Sequence, residues 1–275
     1  MKIGRRTVAL SNLDKVFYPE VGFTKGEMLD CYIRVAPVLI PHLKNHPLTL
    51  KRYPNGAAGM FFYEKNCPKR RPDWFKTVEV WSESRGENIH FCLVNDLAPL
   101  VWTANLATLE LHTSLSLAKS VDRPVFMVFD LDPGAPATLT ECCAVALWIK
   151  EFFDARRIEA FPKTSGSKGL QLYVPLNYPK ATYQDTKTFA HALALKLEKE
   201  HPNQVVSFMK KSLREGKVFV DWSQNDEHKT TVCVYSLRAK QRPTVSTPLN
   251  WEEISRIQEK FALAGSRVGR RSQAN

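Results

Sequence analysis

The order of short alternating segments and helical segments constrains the fold of this 275-residue chain most strongly. Four segments alternate apolar and polar side chains with a period of two, which is typical of β-strands. These segments are residues 109–115, 125–132, 170–174 and 217–223. Helical segments lie between and around them, and three begin with a Thr or Asn followed three residues later by Glu. The predicted helices start at Thr24, Thr138, Tyr183 and Asn250. This order predicts an α/β (α+β) domain whose mostly antiparallel sheet is flanked by helices.

The chain shows no internal repeat, no low-complexity block and no obvious flexible linker. We therefore predict a single compact domain over residues 1–264. Residues 265–275 lose the apolar pattern and retain basic side chains, which predicts a basic, flexible tail.

The charge balance favours a polyanionic partner. The formal net charge is +11 at pH 7, which is typical of proteins that bind nucleic acid or an anionic membrane. No strongly amphipathic basic helix stands out, and no apolar run is long enough to cross a bilayer. The composition therefore predicts a nucleic-acid partner rather than a membrane.

The N-terminus and the cysteines favour the cytoplasm. The apolar run behind the basic N-terminal residues is too short for the core of a signal peptide. The six cysteines form no C-x-x-C pair and no regular framework. We therefore expect free, buried thiols in a reducing compartment rather than a zinc site or disulfides.

Three carboxylates at the ends of apolar strands form the most informative constellation. Asp130 and Asp132 lie two residues apart at a strand end, so both side chains point to one face and can reach one divalent cation. Two aspartates with this spacing, taken by themselves, are also common in acidic turns. Asp221 ends a second apolar strand, and three carboxylates are the usual equipment for two-metal nucleotidyl transfer. The pattern predicts a site for Mg²⁺ or Mn²⁺.

Two loops are candidates for binding phosphate. Residues 164–169 combine hydroxyls, glycines and Lys168 between two strands, although the same loop can be a plain hairpin turn. Residues 51–56 place two cations before a turn, and aromatic residues follow, an arrangement that can pair with phosphates and stack on bases. Among these aromatics we assign Phe61 to the core. His112 lies on the polar face of its strand, as a phosphate or sugar contact or as a structural histidine.

On these residues the sequence resembles the polymerase domain of bacterial ligase D and its stand-alone relatives in the archaeo-eukaryotic primase superfamily. The similarity runs from residues 10–15 to residues 246–251. The landmarks are residues 24–26, 51–56, 110–113, 130–134, 165–169 and 220–225, in this order. The resemblance implies a primase-type fold and a template-dependent nucleotidyltransferase.

The resemblance also implies roles for individual residues. The implied catalytic and metal-binding residues are Asp130, Asp132 and Asp221. The implied contacts of the incoming NTP or dNTP are Lys51, Arg52, His112, Ser165, Lys168 and Arg238. The implied DNA contacts are Asn12, Lys15, Lys25, Phe62, Tyr63, Arg214 and Gln224. Among these, Lys15 and Lys25 match lysines that hold a recessed 5′-phosphate, and Phe62 and Tyr63 match a position that stacks on the template.

Several functional properties follow from the resemblance alone. They are a preference for ribonucleotides, two Mn²⁺ or Mg²⁺ ions in the active site, gap filling, and pairing of broken ends in non-homologous end joining. The implied substrates are gapped DNA, 3′-overhang DNA and ends with a recessed 5′-phosphate. The implied partners are Ku, a separate ligase and a phosphoesterase, together with a second copy across a DNA-bridged break. The implied place of action is the nucleoid of a prokaryotic cytoplasm.

Two departures from the family pattern are visible. Gln171 stands where many relatives carry histidine, and glutamine can form hydrogen bonds but cannot become cationic. We therefore expect triphosphate affinity or its pH dependence to differ. The chain also ends without ligase or phosphoesterase modules, so sealing falls to separate proteins, or the chain is a piece of a longer one.

Other functions remain open at this point. A primase that starts chains de novo would use the same acids, although the match to the 5′-phosphate lysines favours end joining. A non-catalytic module that bridges DNA ends would not need all three carboxylates. A metal-dependent nuclease would not need a triphosphate site, so nucleotide binding distinguishes it.

Overall fold

The computed structural model describes residues 1–83 and 85–259. The helices are α1 (Lys25–Leu43), α2 (Leu97–Asn105), α3 (Leu139–Asp154) and α4 (Tyr183–Glu200), and residues 251–259 are also helical. The strands are β1 (Lys2–Ile3), β2 (Arg6–Thr7), β3 (Val16–Tyr18), β4 (Phe23–Thr24), β5 (Leu48–Arg52), β6 (Phe62–Glu64), β7 (Thr77–Ser82), β8 (Glu87–Cys92), β9 (Thr108–Thr113), β10 (Ser116–Leu117), β11 (Ser120–Pro124), β12 (Phe126–Pro133), β13 (Phe161–Thr164), β14 (Leu170–Pro175), β15 (Val205–Val206), β16 (Val218–Asp221), β17 (Thr231–Val232), β18 (Leu237–Arg238) and β19 (Thr244–Val245).

The first compact unit consists of residues 1–125 and 227–246. Its main sheet has the order β17-β9-β5-β8-β7, and β6 also pairs with β5. All of these pairings are antiparallel. Met28 and Tyr32 of α1 are fully buried in a core shared with Leu111 of β9. Burial of each such large side chain stabilises the fold by about 1.5–3 kcal/mol, so this core fixes the sheet beneath α1.

The second compact unit consists of residues 126–226 and, within the described chain, 247–259. Its sheet has the order β13-β14-β12-β16-β15, antiparallel except for the parallel pair β15–β16. Phe129 and Leu131 of β12 are fully buried in the core that α3 and α4 cover. Because side chains alternate along a strand, Asp130 and Asp132 point to the opposite face of this sheet.

The structure confirms the predicted α/β class with mostly antiparallel sheets. The helix starts are correct, since Thr24 and Thr138 form capping boxes and Asn250 caps the last described helix by exchanging hydrogen bonds with Glu253. Helix α4 begins at the predicted Tyr183. Local capping hydrogen bonds satisfy the free N–H groups of a first turn, so short motifs identify these starts.

Other expectations are corrected or stay predictions. Cys67 and Cys92 form a disulfide, because the N–H of Cys67 bonds His90 O beside β8 and the two Cα atoms lie 5.1 Å apart. The prediction of six free thiols is therefore wrong for these two. The strand predicted to run to residue 223 ends at Asp221, where a 3-10 turn begins. The single domain over residues 1–264 stays a prediction, and the tail at 265–275 lies outside the described residues. No described helix is long and apolar enough to span a membrane.

Candidate active site

A row of polar side chains crosses the sheet of the second unit. Asp130 on β12 lies directly opposite Asp221 on β16 and, on its other side, opposite Gln171 on β14. Gln171 in turn lies opposite Lys163 on β13. Directly opposed Cβ atoms in antiparallel strands are about 4.5–5.5 Å apart, so the register brings two predicted acids together. Asp132 extends the acidic group along β12 and is exposed.

The electrostatics of this row are those of crowded carboxylates. Burial raises the pKa of Asp130 to about 7, and the neighbouring charges of Asp132 and Asp221 add to this effect. A hydrogen bond from Gln171 and the charge of Lys163 act in the opposite direction. The repulsion between these neighbouring carboxylates is unfavourable, and a bound divalent cation would relieve it.

Asp221 is held by the turn that follows it. Its Oδ1 accepts hydrogen bonds from Ser223 N at 2.9 Å and Ser223 Oγ at 2.5 Å, and its Oδ2 accepts from Gln224 Nε2 at 2.9 Å. Asn225 is fully buried and joins this turn to β12, because its amide bonds both Val128 N at 2.8 Å and Val128 O at 2.7 Å. The turn therefore fixes Asp221 against the strand that carries Asp130.

Two glycines of the sequence landmarks lie so close to a neighbouring backbone carbonyl that no side chain fits between them. A Cβ on Gly134 would lie 1.8 Å from Arg214 O, and a Cβ on Gly169 would lie 1.9 Å from Leu131 O. Only glycine fits such contacts. The loop behind Asp132 and the loop of residues 165–169 can therefore pack tightly beside the acidic row.

The loop of residues 165–169 is organised by its first serine. Ser165 Oγ accepts hydrogen bonds from Ser167 N and Gly169 N, each at 3.2 Å, and Ser165 itself is buried. Lys168 is exposed on the same loop and forms no ion pair with any residue that the structure describes. The loop thus presents an uncompensated cation on a fixed backbone.

The donor set of the acidic row fits a hard divalent cation. Carboxylate oxygens are the ligands that Mg²⁺ and Mn²⁺ prefer, and Gln171 adds a buried Oε1 without a hydrogen-bond partner among the described residues. No three His, Cys, Asp or Glu side chains between residues 1 and 259, Ser84 aside, already converge on one point. The three carboxylates therefore lie on one face of the sheet without meeting at one point.

In the first unit, a buried carboxylate gathers several of the predicted nucleotide contacts. Glu110 is 2% exposed, and its Oε1 lies 3.3 Å from Lys51 Nζ. Its Oε2 lies 2.9 Å from His112 Nε2 and 3.2 Å from Arg238 Nε. Tyr53 OH and the backbone N–H of Ala239 also donate to Oε1. Glu110 therefore fixes three of the predicted residues in one cluster.

The pKa values in this cluster follow from its charges. Burial alone would raise the pKa of Glu110, but the hydrogen bond from His112 and the charges of Arg238 and Lys51 outweigh it and hold that pKa far below its usual range. Burial lowers the pKa of His112, against the pull of Glu110. A neutral His112 therefore donates to an ionised Glu110 at neutral pH.

Arg52 lies outside this cluster. Its Nη1 donates to Glu64 Oε2 at 2.8 Å and its Nε donates to Leu106 O at 2.7 Å. Its guanidinium also lies 5.2 Å from the ring centroid of Phe62. The structure thus does not bring Arg52 together with His112 and Arg238.

Exposed aromatic rings lie beside these cations. Phe62 is 44% exposed and Tyr63 is 55% exposed, as expected for rings that stack on bases. The assignment of Phe61 to the core is wrong, because it is 51% exposed and packs on Tyr53 and under Lys51 Nζ. Attraction between the Lys51 ammonium and the face of the Phe61 ring stabilises this ring in its exposed position.

The remaining predicted DNA contacts lie in separate places. Lys25 is buried at the first turn of α1 and Lys15 is exposed beside it, while Asn12 occupies the left-handed region at φ 53° in the turn before Lys15. In the second unit, Arg214 donates from Nη2 to Met209 O at 2.6 Å and lies over Phe219. Gln224 bonds the acid Asp221 directly.

Sequence reasoning missed residues whose role depends on distant partners. Glu110 and Lys163 are buried charges on strands, and Asn225 and Asn105 are amides that bond remote backbone or side-chain groups. A charged or amide residue inside an apolar segment is the signal that could have identified them, because burying such a side chain is unfavourable unless it has a partner.

The match to a primase-polymerase family model over most of the chain defines the class of the protein as a nucleotidyltransferase. The chain belongs to the LigD primase-polymerase domain family, which it matches over residues 24–274.

Curated relatives and a solved structure support this assignment. The chain is 40% identical over 250 residues to the multifunctional non-homologous end joining protein LigD of Mycolicibacterium smegmatis, covering 90% of this chain and 32% of that protein. It is 33% identical over 244 residues to the bifunctional LigD of Bacillus subtilis, covering 89% and 39%. It is also similar to the polymerase domain of Mycobacterium tuberculosis ligase D in complex with DNA, with a TM-score of 0.84, 35% identity, and coverage of 94% and 96%. The chain thus spans about a third of the length of the curated relatives.

Proposed function

We propose that this protein adds nucleotides to DNA ends under the direction of a template, and that it fills gaps and pairs ends in non-homologous end joining. The observation that carries the proposal is the register of β12 and β16, which sets Asp130 opposite Asp221 with Asp132 two residues away. Membership in the LigD family supplies the reaction class. The net charge of +11 suits a DNA substrate.

Asp130, Asp132 and Asp221 are the proposed ligands of two Mn²⁺ or Mg²⁺ ions. Bound ions of this kind would activate the attacking 3′-hydroxyl and neutralise charge on the triphosphate. Ser223 and Gln224 hold the two oxygens of Asp221, which keeps this ligand in a single orientation. Gln171 holds Asp130 from the opposite strand.

Two sets of residues are proposed to contact the incoming nucleotide. Ser165 and Lys168 belong to a loop whose hydroxyls, backbone N–H groups and ammonium group can contact phosphate oxygens. Lys51, His112 and Arg238 share the buried carboxylate of Glu110, which leaves the three side chains fixed. Arg52 remains a proposed contact on the resemblance alone. The proposed substrates are NTPs in preference to dNTPs.

Other residues are proposed to contact DNA. Lys15 and Lys25 are proposed to hold a recessed 5′-phosphate, and Asn12 is a proposed DNA contact. Phe62 and Tyr63 are proposed to stack on the template strand. Arg214 is a proposed contact of the primer strand, whereas the bond of Gln224 to Asp221 favours a role in the catalytic centre. The similar M. tuberculosis polymerase domain was solved in complex with DNA, which supports a DNA substrate here.

The wider setting is proposed from the family resemblance. Ku, a DNA ligase activity and a phosphoesterase activity are the proposed partners, and two copies are proposed to meet across a DNA break. The proposed place of action is the cytoplasm, at the nucleoid.

Extension of a gapped DNA with a downstream 5′-phosphate tests the proposal. With Mn²⁺ and NTPs, the wild type should extend the primer, and Asp130→Ala should lower the rate by at least about a hundredfold while DNA affinity changes little. Asp122→Ala, which removes an exposed acid, is the matched control and should extend normally. Extension by Asp130→Ala at the wild-type rate would refute the metal site. Tight DNA binding without extension by the wild type would favour a bridging module, and extension without a primer would favour a primase.

A further inference from the structure

A buried ammonium lies at the start of α1. Lys25 is 4% exposed, and its Nζ donates to Ser11 O at 2.6 Å and to Asn105 Oδ1 at 2.8 Å. The third contact, to Ser11 Oγ, is 3.5 Å long, at the limit of a hydrogen bond. An ammonium has three donors, and the contact to Ser11 Oγ is the longest of the three, so this donor is the one that an external acceptor can take most readily.

All of these acceptors are neutral. Between residues 1 and 259, leaving out Ser84, no carboxylate lies within ion-pair distance of Lys25 or of Lys15. Burial lowers the pKa of Lys25, and the charge of Lys15 lowers it further. Buried charges are normally paired, so the buried Lys25 without a carboxylate, next to the exposed cation Lys15, indicates a site prepared for an external anion.

Asn105 holds Lys25 in place without neutralising it. Its Oδ1 accepts from Lys25 Nζ and from Ser11 N at 3.1 Å, and its Nδ2 donates to Ala9 O at 2.9 Å. Because Ala9 O can only accept, this bond fixes the amide with its oxygen towards Lys25. A carboxylate in the same place would retain the shape and remove the net positive charge.

Asn55 does the same for the second lysine. Lys15 Nζ donates to Asn55 Oδ1 at 3.1 Å, in the turn that follows β5. The backbone N–H of Lys25 is bonded to Lys15 O and that of Gly26 to Leu13 O. The ammonium groups, rather than these N–H groups at the start of α1, are therefore available to an anion.

We propose that Asn105 and Asn55 are positioning residues that determine specificity, because they hold Lys25 and Lys15 as unneutralised cations for a terminal 5′-phosphate. A terminal phosphate monoester carries a charge of about −1.5 to −2 at pH 7, whereas an internal diester carries a single charge. Two adjacent ammonium groups match the terminal group better. This inference rests on the proposed 5′-phosphate role of Lys15 and Lys25.

The test compares the affinity of gapped DNA with a downstream 5′-phosphate to that of the same DNA with a 5′-hydroxyl, by fluorescence anisotropy. Asn105→Asp and Asn55→Asp should each reduce the phosphate preference, on the order of tenfold for Asn105→Asp, because a carboxylate neutralises the lysine. Affinity for the 5′-hydroxyl DNA should change little. Asn105→Ala removes the acceptor without adding charge, so it should retain more of the preference than Asn105→Asp.

Asn203→Asp makes the same change of net charge at an exposed site and should retain the wild-type preference. Thermal unfolding checks that each variant is folded, and if Asn105→Asp is not, the exposed Asn55→Asp decides. Equal losses on both DNAs would overturn the inference, since a merely structural role predicts them. A wild type without any phosphate preference would instead refute the proposed 5′-phosphate role. A preference retained in both folded Asp variants would refute the inference alone.

Discussion

At the scale of single residues, Glu110 is the carboxylate that holds the buried cations of the first unit in one cluster. It is 2% exposed and is bonded by Lys51, His112 and Arg238. Glu110→Gln should lower the free energy of unfolding by about 3 kcal/mol at pH 7, because it leaves buried cations unpaired. Urea denaturation measures this. Glu79→Gln, at an exposed acid that accepts a hydrogen bond from Asn88, is the control and should cost about 0.5 kcal/mol or less.

The difference in the free energy of unfolding between the wild type and Glu110→Gln should also depend on pH. The pKa of Glu110 is lowered in the folded state, so the unfolded chain binds its proton first on acidification. The contribution of Glu110 is therefore complete above the usual glutamate pKa of 4.5 and is lost as the pH falls towards the folded value. The difference in stability between wild type and Glu110→Gln should narrow below pH 4.5. A constant difference from neutral pH to acid would contradict the charge argument.

Residues of this kind show where sequence reasoning ends. Asp130, Asp132 and Asp221 could be predicted as one site because each ends an apolar strand, a pattern visible within a few residues. Glu110 could not, because Lys51 and Arg238 reach it from positions 59 and 128 residues away in the chain. The burial of its whole strand, on both faces, appears only once the sheet is formed.

At the scale of elements, the pairing of β12 with β16 places like charges opposite each other. Asp130→Asn should raise the free energy of unfolding by about 1 kcal/mol without metal, because it relieves this repulsion and functional sites commonly cost stability. Mn²⁺ should raise the melting temperature of the wild type by binding the folded state, and should do so far less for Asp130→Asn. Differential scanning fluorimetry measures both effects.

Asp122→Asn is the matched control, since Asp122 is exposed beside Arg123. It should change neither the stability nor the response to Mn²⁺. A loss of stability in Asp130→Asn would mean that Gln171 and Lys163 already compensate the carboxylates, and would contradict the repulsion between them.

The elements themselves could be predicted unequally. The starts of α1, α3 and α4 depend on capping hydrogen bonds between residues three apart, so a short stretch of sequence is enough to predict them. The end of β16 could not be predicted, since Asp221 accepts from Ser223 and Gln224 and turns the chain there. The Cys67–Cys92 disulfide likewise depends on the approach of Cys67 to β8, where its N–H bonds His90 O.

At the scale of the whole molecule, the charge of +11 predicts how DNA binding responds to salt. Each phosphate that the protein neutralises releases counterions, so the logarithm of the affinity falls linearly with the logarithm of the salt concentration. The charge alone does not say which cations touch DNA. A comparison of variants with equal net charge separates these contacts from the general field.

Lys15→Ala with Lys25→Ala should reduce the salt slope on gapped DNA with a 5′-phosphate by about 1 to 2, because two phosphate-binding cations are lost. On the 5′-hydroxyl DNA the slope should change little. Lys150→Ala with Lys196→Ala removes the same charge from lysines that already pair with carboxylates on α3 and α4. That control should leave both slopes unchanged. Equal reductions in the two double variants would mean that net charge, and not a phosphate site at α1, sets the affinity for a broken end.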